Sequence, residues 1–205
     1  MRKLNLPNTL SLIRVLLVPL FMVAVIFVKI PEDAGFWETL GLAAIPTAIF
    51  GLTAYTDHLD GKIARKYNLI TDFGKFIDPL ADKFMVIGAL LVIVYRYANI
   101  RPIFIWATII VIFRELAVTS IRLVASSSSG VVIAAKYIGK VKTVSQILCV
   151  CAVIIEPLIY KIPTLDFMIP YMPLTYLTTA VMTVFTLWSG IDYLVSYWKY
   201  LDPQK

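Results

Sequence analysis

Long uncharged stretches alternate with short charged segments along the whole chain. The uncharged runs cover residues 15–28, 39–56, 84–95, 102–113, 143–155 and 167–191. About 20 residues of helix cross the hydrocarbon core of a bilayer, so six such runs predict six transmembrane helices. We expect an all-α integral membrane fold with helices at about 10–29, 38–65, 75–97, 102–126, 132–160 and 173–199.

Two short segments need a separate interpretation. Residues 4–11 alternate leucine with asparagine and serine ahead of the first span, which predicts a short N-terminal interfacial helix. The serine-rich stretch 126–130 predicts a bend between the fourth and fifth helices. With no internal repeat, residues 1–205 are expected to form a single membrane domain.

Composition supports a membrane protein and says which partners to expect. Hydrophobic residues make up 60% of the chain and charged residues 16%, and the mean hydropathy is +0.82; a soluble domain has about 25% charged residues. The net charge of +6 comes from basic residues that flank the apolar runs. We therefore expect membrane lipids and phosphorylated substrates as partners, and no nucleic acid.

The distribution of basic residues predicts the orientation. If both termini are cytoplasmic, only Lys29, Arg96, Arg101 and Lys161 of the 19 lysines and arginines lie outside. Cytoplasmic loops of membrane proteins carry an excess of such residues. The chain is therefore expected to cross the cell membrane several times, with both termini and the main charged cluster facing the cytoplasm.

Four aspartates are paired at helical spacing. Asp57 and Asp60 are three residues apart at the end of the second helix, and Asp78 and Asp82 are four apart at the start of the third. Each pair faces one direction, and a short turn makes the two helices antiparallel, so the carboxylates are expected to meet. Clustered carboxylates suit Mg²⁺ or Mn²⁺. The alternative is that they are surface charges neutralised by nearby lysines and arginines.

Small and basic residues continue the face of the first aspartate pair. Gly61 and Ala64 leave room beside the carboxylates, and Arg65 could form a forked contact with phosphate oxygens. The alternative for the small residues is close helix packing. His58 is rotated about 100° from Asp57 on a helix, so we expect it to stay outside the site.

A second group of charges lies on the fourth and fifth helices. Arg114 follows an uncharged run of 12 residues, which places it within the membrane part of its helix. Together with Arg122, Lys140 and Lys142 it predicts a cationic pocket for a phosphorylated acceptor. The alternative is that Arg114 pairs with Glu115 and that the lysines only fix the topology.

The aspartate segment DHLDGKIARKYNLITDFGKFIDPLAD (residues 57–82) resembles the signature D-x2-D-G-x2-A-R-x8-G-x3-D-x3-D of CDP-alcohol phosphotransferases at all eight positions. The resemblance implies that two divalent cations bind to Asp57, Asp60 and Asp78, and that Asp82 contributes to the metal site and is also the general base. It further implies contacts with the CDP moiety from Gly61, Ala64, Arg65 and Gly74, and weaker ones from Thr71, Asn8 and Ser11.

Two later segments, RELAVTSIR and YIGKVKT, look like those of the phosphatidylglycerophosphate synthase branch of this family. That resemblance implies transfer of a phosphatidyl group from CDP-diacylglycerol to glycerol 3-phosphate, whose phosphate Arg114, Arg122, Lys140 and Lys142 would receive. It also implies a homodimer. A cardiolipin synthase or an inositol-phosphate transferase of the same fold, a divalent-cation transporter and a noncatalytic membrane scaffold remain as alternatives.

Overall fold

The computed structural model describes residues 5–31, 33–67, 71–129, 137–162, 165 and 171–198. Within its helices, the side chains of residues 57, 58, 61, 64, 65 and 126–129 lie outside the description. The predictions for the side chains of Asp57, His58, Gly61, Ala64 and Arg65 therefore concern residues outside the described part.

The helices account for almost all of the described chain. They are α1 Leu6–Phe27, α2 Phe36–Lys66, α3 Asp72–Arg96, α4 Arg101–Ser129, α5 Tyr137–Ile159 and α6 Pro173–Tyr197. The described ranges contain no strand. The all-α fold predicted from the uncharged runs is confirmed, with most helix ends within a few residues of the predicted positions.

The separate N-terminal interfacial helix is not observed, and that prediction is wrong for the described residues. Asn5 caps α1 through its side-chain oxygen, which accepts a hydrogen bond from the backbone N–H of Asn8 at 3.1 Å. With Pro7 in the first turn, the helix begins at Leu6 and continues unbroken into the apolar run. Asn8 and Ser11 are buried inside the protein, which is why this stretch does not lie along a lipid surface.

The predicted bend at residues 126–130 is also wrong as far as residue 129, because α4 continues to Ser129. Serine lowers helix stability by only about half a kcal/mol relative to alanine, so a few serines can extend a long helix that is already formed.

In the described part of the chain, five helices are long and apolar enough to cross a membrane: α1, residues Phe36–Thr56 of α2, residues Arg101–Ala125 of α4, α5 and α6. The protein is thus a multi-pass membrane protein. Helix α3 differs because its first half is charged, while Ala89, Leu90 and Ile93 in its second half are fully buried in the core.

The packing of the helices explains where a site can form. Helix α1 lies against α2 and α3, and α6 lies against α4 and α5. Gly88 lets α1 approach α3 closely, because a Cβ there would lie 2.9 Å from Cγ1 of Val18. Contacts of α3 with α4 and α5 join the two groups. The polar ends of α3, α4, α5 and α6 thus meet at the end of the bundle where α3 begins, called here the aspartate end.

A buried carboxylate fixes α6 at the opposite end. Glu156 of α5 is fully buried, and its Oε1 and Oε2 accept hydrogen bonds of 2.7 Å from the backbone N–H groups of Leu174 and Thr175. Oε1 also accepts a 2.7 Å bond from the Tyr160 hydroxyl. A negative charge is favourable at a helix N-terminus, where backbone N–H groups lack partners within the helix.

Candidate functional site

Two residues of α1 bring three of the predicted aspartates together. Ser11 Oγ lies 2.5 Å from Asp78 Oδ1 and 3.2 Å from Asp60 Oδ2. Arg14 is fully buried, and its Nη2 and Nη1 donate to Asp60 Oδ2 and Asp82 Oδ1, each at 2.5 Å. The carboxylates predicted from helical spacing on α2 and α3 therefore do meet, and α1 holds them in place.

Arg14 is the part of this cluster that the sequence prediction missed. Its signal is visible in retrospect: it is a single cation at the edge of a long uncharged run, three residues after Ser11 and on the same helix face. An arginine within an apolar span is costly unless it finds a partner. The sequence does not show that the partners are Asp60 and Asp82, because that depends on how α1 packs against α2 and α3.

The start of α3 is tied to α1 by a second set of contacts. Thr71 caps α3, with Oγ1 accepting from the Gly74 N–H at 3.0 Å and donating to Asn8 Oδ1 at 3.0 Å. A Cβ at Gly74 would lie 2.9 Å from that asparagine oxygen, so this corner requires glycine or a displaced Asn8. The predicted CDP contacts Asn8, Ser11, Thr71 and Gly74 are thus brought together beside Asp78.

The acidic cluster has the donor chemistry of a divalent-cation site. Arg14 forms ion pairs with Asp60 and Asp82, and Asp78 is contacted by Ser11. Carboxylate oxygens are the donors that Mg²⁺ and Mn²⁺ prefer. Asp60 is buried, Asp78 is half-buried and the side chain of Asp82 is 54% exposed. Among the described residues, no group of three or more acidic, histidine or cysteine side chains is spaced as metal ligands. The side chain of Asp57, the fourth predicted ligand, lies outside that part.

Asp82 also lies in the wall of a cavity of about 740 Å³ between α3, α4, α5 and α6. Among the described residues, five cations line this cavity against two carboxylates. They are Lys83, Arg114, Arg122, Lys140 and Lys142, with Asp82 and Glu115. All four residues predicted to receive the acceptor phosphate therefore share one cavity with the predicted base.

Glu115 organises two of these cations. Its Oε1 accepts a hydrogen bond from Arg114 Nη1 at 3.2 Å and forms an ion pair with the Lys142 ammonium. Arg114 and Lys142 are only 9% and 5% exposed. The expected alternative, pairing of Arg114 with Glu115, is therefore present, and it coexists with a position in the cavity wall.

Helix α6 supplies further contacts that the sequence did not reveal. Ser189 Oγ accepts from Arg114 Nη2 at 2.6 Å, and the Tyr193 hydroxyl accepts from Arg122 Nη2 at 2.6 Å. The Tyr193 ring is fully buried and lies 5.6 and 5.1 Å from the two guanidinium groups. Gly190 permits this crossing, because a Cβ there would lie 3.2 Å from Arg114 Cγ. The only sign of these contacts in the sequence is that Ser189 and Tyr193 are polar and lie four residues apart on an apolar helix.

The apolar helices of this multi-pass membrane protein gather carboxylates and cations at one end, and such a site is suited to charged ligands. The family model described as CDP-alcohol phosphatidyltransferase matches residues 4–189. The chain belongs to this family, so the family and the enzyme class predicted from the aspartate signature are confirmed. Enzymes of this family are transferases of phospholipid biosynthesis and generally use divalent metal ions.

Several curated relatives cover nearly the whole chain. A Bacillus subtilis (strain 168) protein named CDP-diacylglycerol--glycerol-3-phosphate 3-phosphatidyltransferase is 39% identical over 203 residues, covering 96% of this chain and 97% of its own. A Haemophilus influenzae protein of the same name is 34% identical over 197 residues, covering 94% and 92%. One from Yersinia enterocolitica is 32% identical over 206 residues, covering 98% and 100%.

Proposed function

We propose that the protein transfers the phosphatidyl group of CDP-diacylglycerol to glycerol 3-phosphate, which yields phosphatidylglycerophosphate and CMP. The observation that carries this proposal is the shared cavity, in which Asp82 lies with four cations suited to a phosphate. The names of the relatives support the same reaction. A cationic cavity also favours a phosphorylated acceptor over a neutral alcohol.

The acceptor phosphate binds among Arg114, Arg122, Lys140 and Lys142 in this proposal. The two arginines are held by α6 through Ser189 and Tyr193, so their planar guanidinium groups are already oriented before substrate arrives. The lysine ammonium groups add positive charge, but they lack the planar, two-pronged geometry of a guanidinium group. Glu115 keeps Lys142 at the wall of the cavity.

The donor binds on the α1 side of Asp82. Asn8, Ser11, Thr71 and Gly74 form the corner of the described site that is suited to the CDP moiety, and the signature adds Gly61, Ala64 and Arg65. Two divalent cations, Mg²⁺ or Mn²⁺, are held by Asp57, Asp60, Asp78 and Asp82. When bound, they supply positive charge for the diphosphate and for the CMP leaving group.

Asp82 is the general base in this mechanism. Its carboxylate takes the proton from the attacking hydroxyl of glycerol 3-phosphate. The hydroxyl oxygen then forms a bond to the lipid-side phosphorus, and the bond from that phosphorus to the oxygen of the CMP phosphate breaks. Arg14 orients Asp82 for this role through its contact with Oδ1.

The site faces the cytoplasm in this account, and α3 provides the sixth span. Its 25 residues are about 37 Å long, enough for a bilayer core, and its charged half lies at the aspartate end. The excess of basic residues at that end supports cytoplasmic termini. The cell membrane is the proposed location. A homodimer is the assembly that the family resemblance predicts.

The choice of acceptor tests the proposal. Purified protein is given CDP-diacylglycerol, Mg²⁺ or Mn²⁺, and in separate reactions glycerol 3-phosphate, inositol phosphate or phosphatidylglycerol, and CMP release is measured. We expect glycerol 3-phosphate to support the fastest release, by at least about tenfold, since a cavity lined by several cations discriminates by charge and shape. Turnover with another acceptor and none with glycerol 3-phosphate would sink the assignment.

A further inference from the structure

A buried glutamine lies in the wall of the same cavity without a described role. Gln146 of α5 is 1% exposed and lines the cavity with Lys142 and Arg122. In the part of the chain that the structure describes, its Nε2 and Oε1 have no hydrogen-bond partner. Neither the family signature nor the set of predicted acceptor residues contains it.

A buried amide group without a hydrogen-bond partner is unusual in a folded protein. Its nitrogen carries two donors and its oxygen accepts two hydrogen bonds, and most buried polar side-chain atoms in proteins have at least one partner. Leaving both ends unsatisfied destabilises the folded state. An amide that meets its partner only when a ligand binds accounts for this arrangement in a cavity wall.

The position of Gln146 indicates which part of a ligand it meets. It follows Lys142 by four residues, so both lie on one face of α5 and Gln146 is about 6 Å further into the membrane. The cavity wall also includes the apolar residues Met85, Val86 and Ile147, the last of which is next to Gln146 in the chain. The cations provide for a phosphate, whereas a neutral amide suits a hydroxyl, to which it can both donate and accept.

We propose that Gln146 binds the central hydroxyl of glycerol 3-phosphate, the one that neither carries the phosphate nor attacks phosphorus. Gln146 thereby determines selectivity for an acceptor with a hydroxyl at that position. The inference rests on the proposed function and adds a specificity residue to it. A site built to hydrogen-bond a substrate hydroxyl rejects the analogue that lacks it, because its own buried polar group then stays unpaired.

The test compares two acceptors in the parent protein and in Gln146→Met. The acceptors are glycerol 3-phosphate and 3-hydroxypropyl phosphate, which keeps the phosphate and the attacking hydroxyl but lacks the central hydroxyl. The parent is expected to prefer glycerol 3-phosphate by about 10- to 100-fold in kcat/KM, the range for one hydrogen-bonded group. In Gln146→Met the preference is expected to fall below about threefold, with little change in KM for CDP-diacylglycerol.

Thr186→Val is the matched control. The Oγ1 of Thr186 is likewise buried and without a hydrogen-bond partner in the described part, but it does not line the cavity. Its ratio of the two kcat/KM values is expected to equal that of the parent. A ratio does not change when a variant merely loses active protein, so a general loss of fold cannot imitate the result.

The outcomes separate this inference from the proposed function. If the parent does not use glycerol 3-phosphate, the proposed function fails. Two results overturn the inference alone: the parent uses glycerol 3-phosphate without preferring it to the analogue, or Gln146→Met keeps the preference. Either result means that Gln146 does not bind the central hydroxyl. Gln146→Leu replaces the methionine variant if the latter does not fold, and the same ratio is then decisive.

Discussion

At the scale of single residues, the acidic cluster illustrates what spacing can and cannot predict. Helical periodicity predicts that Asp78 and Asp82 lie on the same face of α3, and both carboxylates do contact α1. The role of Arg14 as the link between Asp60 and Asp82 does not follow, because a lone cation beside an apolar run equally well marks the end of a span. Gln146 was missed for a similar reason: an isolated amide on an apolar helix does not reveal which way it faces.

Replacing Asp82 by asparagine tests the base. The amide keeps the size of the side chain but cannot accept the proton, so kcat is expected to fall at least about 100-fold. Asp72→Asn on the same helix is the control, since that side chain is 99% exposed and pairs only with Lys75 among the described ion pairs. CMP release is measured, and thermal unfolding in detergent verifies that both variants fold. An Asp82→Asn protein with more than a tenth of the parent kcat contradicts the base role.

At the scale of helices, the uncharged runs predicted the number and approximate positions of the elements. The two errors, at residues 5–11 and 126–129, both came from treating polar residues as ends of helices. Asn8 and Ser11 are polar because they face α3 and its aspartates, a tertiary reason that local composition does not contain. The attachment of α6 to α5 through Glu156 was likewise invisible, since it joins residues 18 and 19 apart in the chain.

Glu156→Gln tests that attachment. The substitution removes the charge and puts an N–H₂ group where one carboxylate oxygen accepted a backbone hydrogen bond, at a cost of about 1–3 kcal/mol. For a chain of this size, the apparent melting temperature in detergent is expected to fall by roughly 3–10 °C. Glu38→Gln, in the exposed first turn of α2, is expected to change it by no more than about one degree. Equal melting temperatures for both variants would show that the contact of Glu156 with the start of α6 contributes little to stability.

At the scale of the whole molecule, the site is a product of packing between two groups of helices. Helices α1, α2 and α3 bring the aspartates together, α4 and α5 carry the four predicted acceptor cations, and α6 holds the two arginines. The cavity beside Asp82 joins the two groups. The sequence predicted the aspartates of the first group and four cations of the second group, but not Arg14. It did not predict Ser189 and Tyr193, because the crossing of α4 and α6 at Gly190 decides where the arginines lie.

The KM for glycerol 3-phosphate in Lys140→Gln is the most direct test that this cavity is the acceptor site. Lys140 lines the cavity and is exposed, so its loss is expected to leave the fold intact. Removing one charged contact to a phosphate should raise that KM by about 10-fold or more, with the KM for CDP-diacylglycerol within about twofold of the parent value. Lys29→Gln, an exposed lysine outside the cavity, serves as the control. An unchanged KM for glycerol 3-phosphate, or a rise confined to CDP-diacylglycerol, contradicts the account.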